Sequence, residues 1–251
     1  MISRRSARMR SLAAVALVAG VTIAGLQGTA SAAPASPTLS NQASSGWWAG
    51  TPINTSGTLS GGVSPTGYIT YVVYGPDDAT CSRAPAWVTF THVYGDGYYS
   101  SAHYLTNAAG TYRWIAWYSG DAKNSPTPIS ACRNPSGAAI VSKRNVTLSG
   151  AASPLLPAGA VTNTATLGNG SGPAGPTGTI TFRLFGPNNL TCAGAPIFTS
   201  VRTVAGNGAY MSAPFTLRVA GRYTWTVTYS GDANNYSAYT GCDPANQVIR
   251  A

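Results

Sequence analysis

The most regular hydrophobic pattern in the chain is the segment 221–229, which reads GRYTWTVTY. Its Tyr, Trp and Val side chains fall on every second position, and Thr224, Thr226 and Thr228 lie between them. An alternation with period two predicts a strand with one buried face and one polar face. The segment 179–185, TITFRLF, alternates in the same way and predicts a second such strand.

Both patterns occur twice in the chain. Residues 65–124 align without gaps to residues 176–235, and 27 of the 60 aligned positions are identical. Further upstream, residues 38–40 correspond to residues 147–149, so the repeat covers nearly all of the chain after residue 32. We predict two domains, residues 33–145 (domain 1) and 146–251 (domain 2), each of the size of one immunoglobulin-type sandwich.

The first 32 residues have the pattern of a secretory signal peptide. Four arginines precede an apolar run from Leu12 to Leu26, and small residues ending at Ala32 follow. The run is too short for a membrane anchor, so we expect cleavage after Ala32 and a secreted protein, exported by the Sec or the twin-arginine route. Removing the four arginines lowers the formal net charge from +9 to +5. Because the remaining basic residues are scattered along the sequence, we predict no nucleic-acid partner.

Turns rich in Gly, Pro and Asn separate about seven short strands in each repeat. In the first repeat, further strands are predicted at Ile53–Leu59, Trp87–Val93, Tyr98–Tyr104 and Ala139–Ser142. The predicted fold class is therefore all-β, with two tandem immunoglobulin-like β-sandwich domains after a cleaved signal peptide.

Two pairs of motifs resemble the bacterial Ig-like repeat domains: PTGYITYVVYGP with PTGTITFRLFGP, and AGTYRWIAWYSGDA with AGRYTWTVTYSGDA. The resemblance implies a non-catalytic, extracytoplasmic module used in adhesion, binding or spacing. Within these motifs we interpret Tyr112 and Tyr223 as tyrosine corners. We expect Trp114 and Trp225 to fill the position where antibody domains have a disulfide between the sheets.

Each repeat contains two cysteines. Repeat symmetry favours one disulfide within each domain, Cys81 with Cys132 and Cys192 with Cys242, in loops outside the core strands. The alternative, a redox or metal site, has no CxxC motif or nearby histidine pair to support it.

The sequence shows no assembled catalytic set, so we predict a protein that is not an enzyme and has no cofactor and no metal. The six acidic residues are all aspartates. Asp121 and Asp232 follow Ser-Gly in matching turns, where we expect them to accept backbone hydrogen bonds. The alternatives are a calcium role for Asp77, Asp78 or Asp121, and a metal bound between His92 and His103.

The two repeats differ most on the outward side of two neighbouring strands. Where domain 2 has mainly threonine, domain 1 has a candidate binding face of five residues: Tyr68, Val72, Tyr74, Ile115 and Trp117. Exposed apolar patches mark interfaces, so this face predicts a contact with a cell-wall or other polysaccharide or with a surface protein. The alternative is that domain 2, or the segment containing Trp47 and Trp48, covers the face.

The sequence thus favours a secreted, monomeric binding or adhesion protein, either released or held loosely at the cell wall. Domain 1 would recognise the ligand and domain 2 would stabilise or space it. The rival hypothesis is a purely structural spacer with no ligand of its own.

Overall fold

The computed structural model describes residues 32–251, so the predicted signal peptide lies outside the described residues except for Ala32. Residues 34–251 form one compact unit. This part of the chain is all-β, with three short 3-10 helices at Pro135–Gly137, Pro157–Gly159 and Pro244–Asn246. None of the helices in residues 32–251 has the length and hydropathy needed to cross a membrane.

Domain 1 is a sandwich of two antiparallel sheets. Its strands are β1 (Thr38–Leu39), β2 (Gln42–Ala43), β3 (Pro52–Ile53), β4 (Thr55–Ser60), β5 (Tyr68–Tyr74), β6 (Trp87–His92), β7 (Gly97–Ser100), β8 (Tyr104–Leu105), β9 (Gly110–Tyr118) and β10 (Ala138–Val141). One sheet is centred on β4, which pairs with β1, β2 and β7, and the other has the order β10-β9-β5-β6. The neighbours β10, β9 and β5 correspond to strands G, F and C of the immunoglobulin fold. Strands β3 and β8 form a small separate pair.

Domain 2 repeats this architecture. Its strands are β11 (Thr147–Ala152), β12 (Ala160–Val161), β13 (Asn163–Gly168), β14 (Thr179–Phe185), β15 (Phe198–Thr203), β16 (Gly208–Met211), β17 (Phe215–Thr216), β18 (Gly221–Tyr229), β19 (Ala238–Tyr239) and β20 (Gln247–Arg250). One sheet has the order β11-β13-β16, and the other has β15-β14-β18, with β19 and β20 also paired to β18. The fold is therefore two tandem β-sandwiches, as the sequence predicts.

Each sandwich has its own hydrophobic core. One core draws on residues 39–141 and the other on residues 146–248. Trp114 and Trp225 are fully buried in the two cores, where the sequence predicts large core side chains in place of a disulfide between the sheets. Both tyrosine corners are present, since the Tyr112 hydroxyl donates to the Ala108 carbonyl at 3.0 Å and the Tyr223 hydroxyl donates to the Val219 carbonyl at 2.8 Å.

The strand predictions hold in position and differ in length. The predicted strand Tyr98–Tyr104 is two strands, β7 and β8, because the chain crosses from one sheet pairing to another between them. The predicted strand Ile53–Leu59 is likewise divided into β3 and β4. A period of two does not reveal such breaks, since side chains on both sides of them still alternate.

A turn of domain 2, residues 231–236, contacts the end of domain 1. The Ala109 N–H donates to Asn234 Oδ1 at 2.9 Å, and Lys143 Nζ donates to the Asp232 carbonyl at 2.8 Å. Arg144 forms a parallel bridge with Asn235, just as Ala35 pairs with Asn124 within domain 1. The domains therefore meet through polar hydrogen bonds beside the first residue of β9.

Candidate binding surface

The outer face of the sheet β10-β9-β5-β6 carries the side chains that distinguish domain 1 from domain 2. Tyr68 and Val72 lie on this face of β5, and Ile115 and Trp117 lie on it in β9. The register places Val72 opposite Ile115 and Thr70 opposite Trp117. Strands β5 and β9 are thus neighbours, as the sequence predicts, and their outward side chains form one continuous surface.

Strand β6 extends this surface with residues that the repeat comparison did not select. The register pairs Tyr68 with His92, which also places Val88 and Phe90 on the outer face. Phe90 is 64% exposed and Tyr68 is 46% exposed. Phe90 corresponds to Val201 in domain 2. Comparing β6 with β15 would therefore have identified Phe90 as a position where domain 1 has the larger, aromatic side chain.

A further apolar residue comes from the segment after β9. The Ser130 N–H donates to the Ala116 carbonyl at 3.0 Å, which holds this segment along β9. Ile129, the preceding residue, is exposed. We call the whole set the aromatic face: Tyr68, Val88, Phe90, His92, Ile115, Trp117 and Ile129.

The rings along β6 lie in contact with one another. The centroids of Tyr68 and Phe90 are 6.2 Å apart, those of Phe90 and His92 are 6.0 Å apart, and those of His92 and Tyr94 are 6.5 Å apart. Neighbouring rings of the first two pairs are strongly tilted, at 61° and 89°. Tyr68, Phe90 and His92 line a shallow depression of about 510 Å³. The surface is therefore corrugated, and its seven residues include no lysine, arginine or carboxylate; the half-buried Arg113 borders it, two residues before Ile115 on the same side of β9.

The five predicted face residues differ in accessible area. Val72 is only 5% exposed, because it lies between Val88 and Ile115 in the centre of the sheet. Tyr74, Ile115 and Trp117 are half-buried, and Tyr74 lies opposite Arg113, towards domain 2. Val72 therefore supports the surface, while Tyr68 is the most exposed of the predicted five.

Neither element that could have covered the aromatic face does so. Trp48 bridges to Ser142, and the Arg144 guanidinium lies 4.0 Å from the centre of its ring. Ser142 follows Val141, which pairs with Gly110 at the start of β9, whereas Trp117 is near the end of that strand. The two ends of a nine-residue strand are about 26 Å apart. The tryptophan pair and the contact with domain 2 thus both lie away from Phe90 and Trp117.

The corresponding face of domain 2 is closed at its centre, while Val201 and Tyr239 on the flanking strands are exposed. Thr224 and Thr226, which the sequence predicts as outward and polar, are 0% and 2% exposed. The Arg183 side chain crosses this face and donates to the Thr228 hydroxyl at 3.4 Å, and Phe185 is buried beside it. The expectation of an exposed threonine face is therefore wrong for the first two positions, because longer side chains of β14 cover them.

The paired aspartates of the Ser-Gly-Asp turns have a structural role. Asp121 accepts the Thr66 N–H at 2.6 Å, the Lys123 N–H at 2.8 Å and the Asn124 N–H at 2.9 Å. Asp232 accepts three matching N–H groups, with Thr177 in place of Thr66. With both oxygens occupied by donors, neither carboxylate is arranged as a calcium ligand.

These hydrogen bonds also set the protonation state of the turn. The N–H of Thr66 is the main cause that lowers the pKa of Asp121, and it outweighs the effect of burial, which raises that pKa. Burial, followed by the hydrogen bond to Asp121, raises the pKa of Tyr118 to about 12. The carboxylate therefore remains charged and the phenol remains a donor across the neutral range.

The other candidate sites of the sequence stay apart in the structure. Asp78 accepts backbone N–H groups of its own loop, including that of Arg83 at 2.9 Å. His92 is at the end of β6, and His103 lies exposed between β7 and β8. Within residues 32–251, no group of three or more His, Cys, Asp or Glu side chains is arranged to hold a metal ion.

Both disulfides join the cysteines that the repeat pairs with each other. Cys81 is bonded to Cys132 across 51 residues, and Cys192 to Cys242 across 50 residues. The first disulfide links the loop after β5 to the segment before the 3-10 helix Pro135–Gly137. The second links the loop after β14 to the segment before the 3-10 helix Pro244–Asn246. Both lie outside the core. Two disulfides in a small β protein are typical of folding in an oxidising compartment.

Comparison with known proteins does not assign the chain to a family. No family model matches the sequence, and no curated protein matches it. Among solved structures, red sea bream transglutaminase aligns with a TM-score of 0.40 and 11% identity over 85% of this chain and 31% of its own. The Yersinia pseudotuberculosis adhesin InvE aligns with a TM-score of 0.34 and 13% identity over 81% of this chain and 58% of its own. The chain thus spans less than two thirds of either protein, and similarities at this level support no argument about function.

Proposed function

We propose that this protein is a secreted, non-catalytic binding or adhesion module of the bacterial exterior, in which the aromatic face of domain 1 recognises the ligand. The observation that carries the proposal is the uncovered apolar surface on β5, β6 and β9. Burying apolar area is the main favourable term in folding, so a stable domain that leaves such a surface open favours an external partner.

The chemistry of the face favours a neutral polysaccharide as the partner. Tyr68, Phe90 and Trp117 offer ring surfaces that stack on the apolar side of a sugar, at little cost in side-chain entropy. The face itself contains no Lys, Arg, Asp or Glu side chain and has only the half-buried Arg113 at its border, so it suits a neutral ligand better than a strongly charged one. A surface protein is the second class of partner that such a face would accommodate.

Domain 2 serves in this proposal as the stabiliser or spacer. Arg183 and Phe185 close the centre of its equivalent face, which has Thr179, Val201 and Thr228 in place of the rings of Tyr68, Phe90 and Trp117. The short polar contact between the domains holds the start of β9 and leaves the aromatic face open. A single recognition surface per molecule follows from this asymmetry.

The test is retention of the mature chain, from Ala33, on cell-wall preparations and on a panel of insoluble neutral polysaccharides. The test variant carries Tyr68→Thr, Phe90→Val and Trp117→Thr, which are the residues found in domain 2. The control variant carries Trp47→Leu and Tyr98→Ala, which remove two exposed aromatic rings elsewhere and also introduce the domain 2 residues.

Retention of the wild type and the control variant, with loss of a test variant that still unfolds cooperatively well above the assay temperature, would support recognition by the aromatic face. Retention on cell walls that protease treatment of the walls removes would make the partner a protein. If the wild type binds none of these materials, or if the test variant binds as well as the wild type, the structural spacer becomes the better explanation.

A further inference from the structure

A cleft of about 520 Å³ lies at the junction between the domains, and residues of both domains line it. Ala109, Gly110 and Ala233 leave this space open, because each has a single methyl group or no side chain. Four other lining residues bring polar or aromatic groups to it: Asp77, Ser142, Lys143 and Tyr236. We call this space the junction cleft.

The polar groups of the cleft keep much of their hydrogen-bonding capacity. Asp77 Oδ1 accepts a backbone N–H of β9 at 2.8 Å, whereas Asp77 Oδ2 accepts none within the described residues. Lys143 Nζ donates to the Asp232 carbonyl at 2.8 Å, which leaves two of the three ammonium hydrogens for a ligand. Ser142 is exposed, and the Tyr236 side chain is 52% exposed. Donors, an acceptor and a ring face are therefore available together.

Comparison of the repeats shows that the fold does not require the carboxylate or the ring. Domain 2 has Asn188 in place of Asp77, and the Asn188 amide oxygen accepts the equivalent N–H at 3.1 Å. Domain 1 has Ser125 in place of Tyr236. Each of these two residues donates its backbone N–H to the segment before the first strand of its own domain, at 2.8 Å for Ser125 and 3.0 Å for Tyr236. Asp77 and Tyr236 thus bring to the cleft chemical groups that the shared turns do not need.

We propose that the junction cleft binds one unit of a neutral sugar, as a second site separate from the aromatic face. Sugar hydroxyls both donate and accept hydrogen bonds, so they suit a carboxylate acceptor and an ammonium donor in the same cleft. The apolar side of a sugar ring packs on an exposed aromatic ring such as that of Tyr236. Because Asp77 and Lys143 carry opposite charges, the cleft favours neither an anion nor a cation. Clefts between domains are also common places for small-molecule sites.

The junction cleft and the aromatic face lie at different ends of β9. Gly110, which lines the cleft, is the first residue of that strand, and Trp117 of the aromatic face is the eighth. Seven residues of extended strand span about 24 Å, which is much longer than one sugar ring. A sugar unit in the cleft therefore does not contact Trp117, and binding in the cleft does not depend on the proposed function of the aromatic face.

The test follows the backbone amide signals of the mature chain, from Ala33, in NMR titrations with cellotriose, maltotriose and triacetylchitotriose. The zwitterionic dipeptide alanylalanine is the comparison ligand. The test variant carries Asp77→Asn and Tyr236→Ser, each of which introduces the residue of the other repeat. The matched control carries Asp243→Asn and Tyr98→Ala, which remove one carboxylate and one exposed ring outside the cleft and also introduce residues of the other repeat. The amide spectrum of each variant shows directly whether it is folded.

We expect at least one trisaccharide to shift the amide signals of Gly110, Ser142 and Ala233 in the wild type and in the control. The test variant should bind that sugar about tenfold more weakly, because it lacks the ring contact and the charged acceptor. The proposal would be overturned if no trisaccharide shifted these signals in the wild type, if both variants bound equally, or if alanylalanine shifted the same signals as strongly. The amides of Tyr68 and Phe90 report on the aromatic face separately, so failure of the cleft and failure of the proposed function are distinguishable.

Discussion

Single aspartates stabilise the tightest turns of this protein by accepting several hydrogen bonds at once. Asp121 joins the turn after β9 to Thr66 before β5, and Tyr118 donates to the same carboxylate at 3.1 Å. The matching contacts of Asp232 show that the arrangement belongs to the fold of each repeat. Such a group stabilises the folded state only while it is charged, which makes the turn sensitive to acid.

The substitution Asp121→Asn should therefore change how stability depends on pH. The folded-state pKa of Asp121 lies below the ordinary value of 3.8, so its contribution is complete above that value and is lost as the pH falls towards the folded-state pKa. We expect the urea midpoint of the wild type to fall more steeply than that of the variant from about pH 5 to about pH 2. At neutral pH the variant should already be the less stable protein.

The control for this measurement is Asp77→Asn, which introduces the residue that domain 2 has at the equivalent Asn188. Because an amide oxygen can accept the same backbone N–H, we expect the Asp77→Asn protein to keep the wild-type pH profile. Parallel profiles for the wild type and the Asp121→Asn protein would contradict the assigned role of Asp121.

Strand β9 shows how one element serves both the core and the surface. Its inward side chains, including Trp114, are completely buried, and its outward side chains, including Ile115 and Trp117, are only half-buried. The alternation of the sequence predicts this division directly. Trp114 and Trp117 therefore contribute differently to the free energy of unfolding, although both are tryptophans.

Replacing each tryptophan separately should demonstrate the difference. Trp114→Leu removes ring volume from the core and should lower the free energy of unfolding by about 3 kcal/mol or more. Trp117→Thr, which introduces the domain 2 residue, should cost about 1 kcal/mol or less. Chemical denaturation followed by circular dichroism measures both values, and equal losses for the two variants would show that the face is packed and not available to a ligand.

At the level of the complete protein, Asn234 supplies a side-chain contact at the junction between the domains, beside the contacts of Lys143 and Arg144. Asn234 Oδ1 accepts the Ala109 N–H, and the equivalent position in domain 1 is Lys123, which is exposed. The repeats thus share a turn, but only the turn of domain 2 contacts a second domain. The side chain of Asn234 therefore adds a contact to domain 1 that has no counterpart at Lys123 in the equivalent turn.

The substitution Asn234→Lys should loosen the junction, because it removes the acceptor of the Ala109 N–H and adds a positive charge beside Lys143. We expect a larger radius of gyration in small-angle X-ray scattering, with the core of each domain still folded. The reverse change, Lys123→Asn, is the matched control and should leave the scattering profile unchanged. An unchanged profile for Asn234→Lys would show that the linker alone holds the domains together.

Much of the fold and only part of the candidate site could be predicted from the sequence. The tyrosine corners, the core tryptophans and the cysteine pairs all follow from comparing the two repeats. Phe90 and His92 were missed as face residues because they join the surface through the pairing of β6 with β5. Val72 was placed on the correct side of its strand, but its burial depends on neighbours from two other strands.

By itself, the sequence determined the all-β class, the two repeats and which side of each long strand faces the core. These properties follow from period-two alternation and internal similarity, which are local or directly comparable along the chain. Only the tertiary structure decided which outward residues share a surface and which of them remain exposed. Those properties depend on strand register and on the size of neighbours distant in the chain, and no local pattern records either of them.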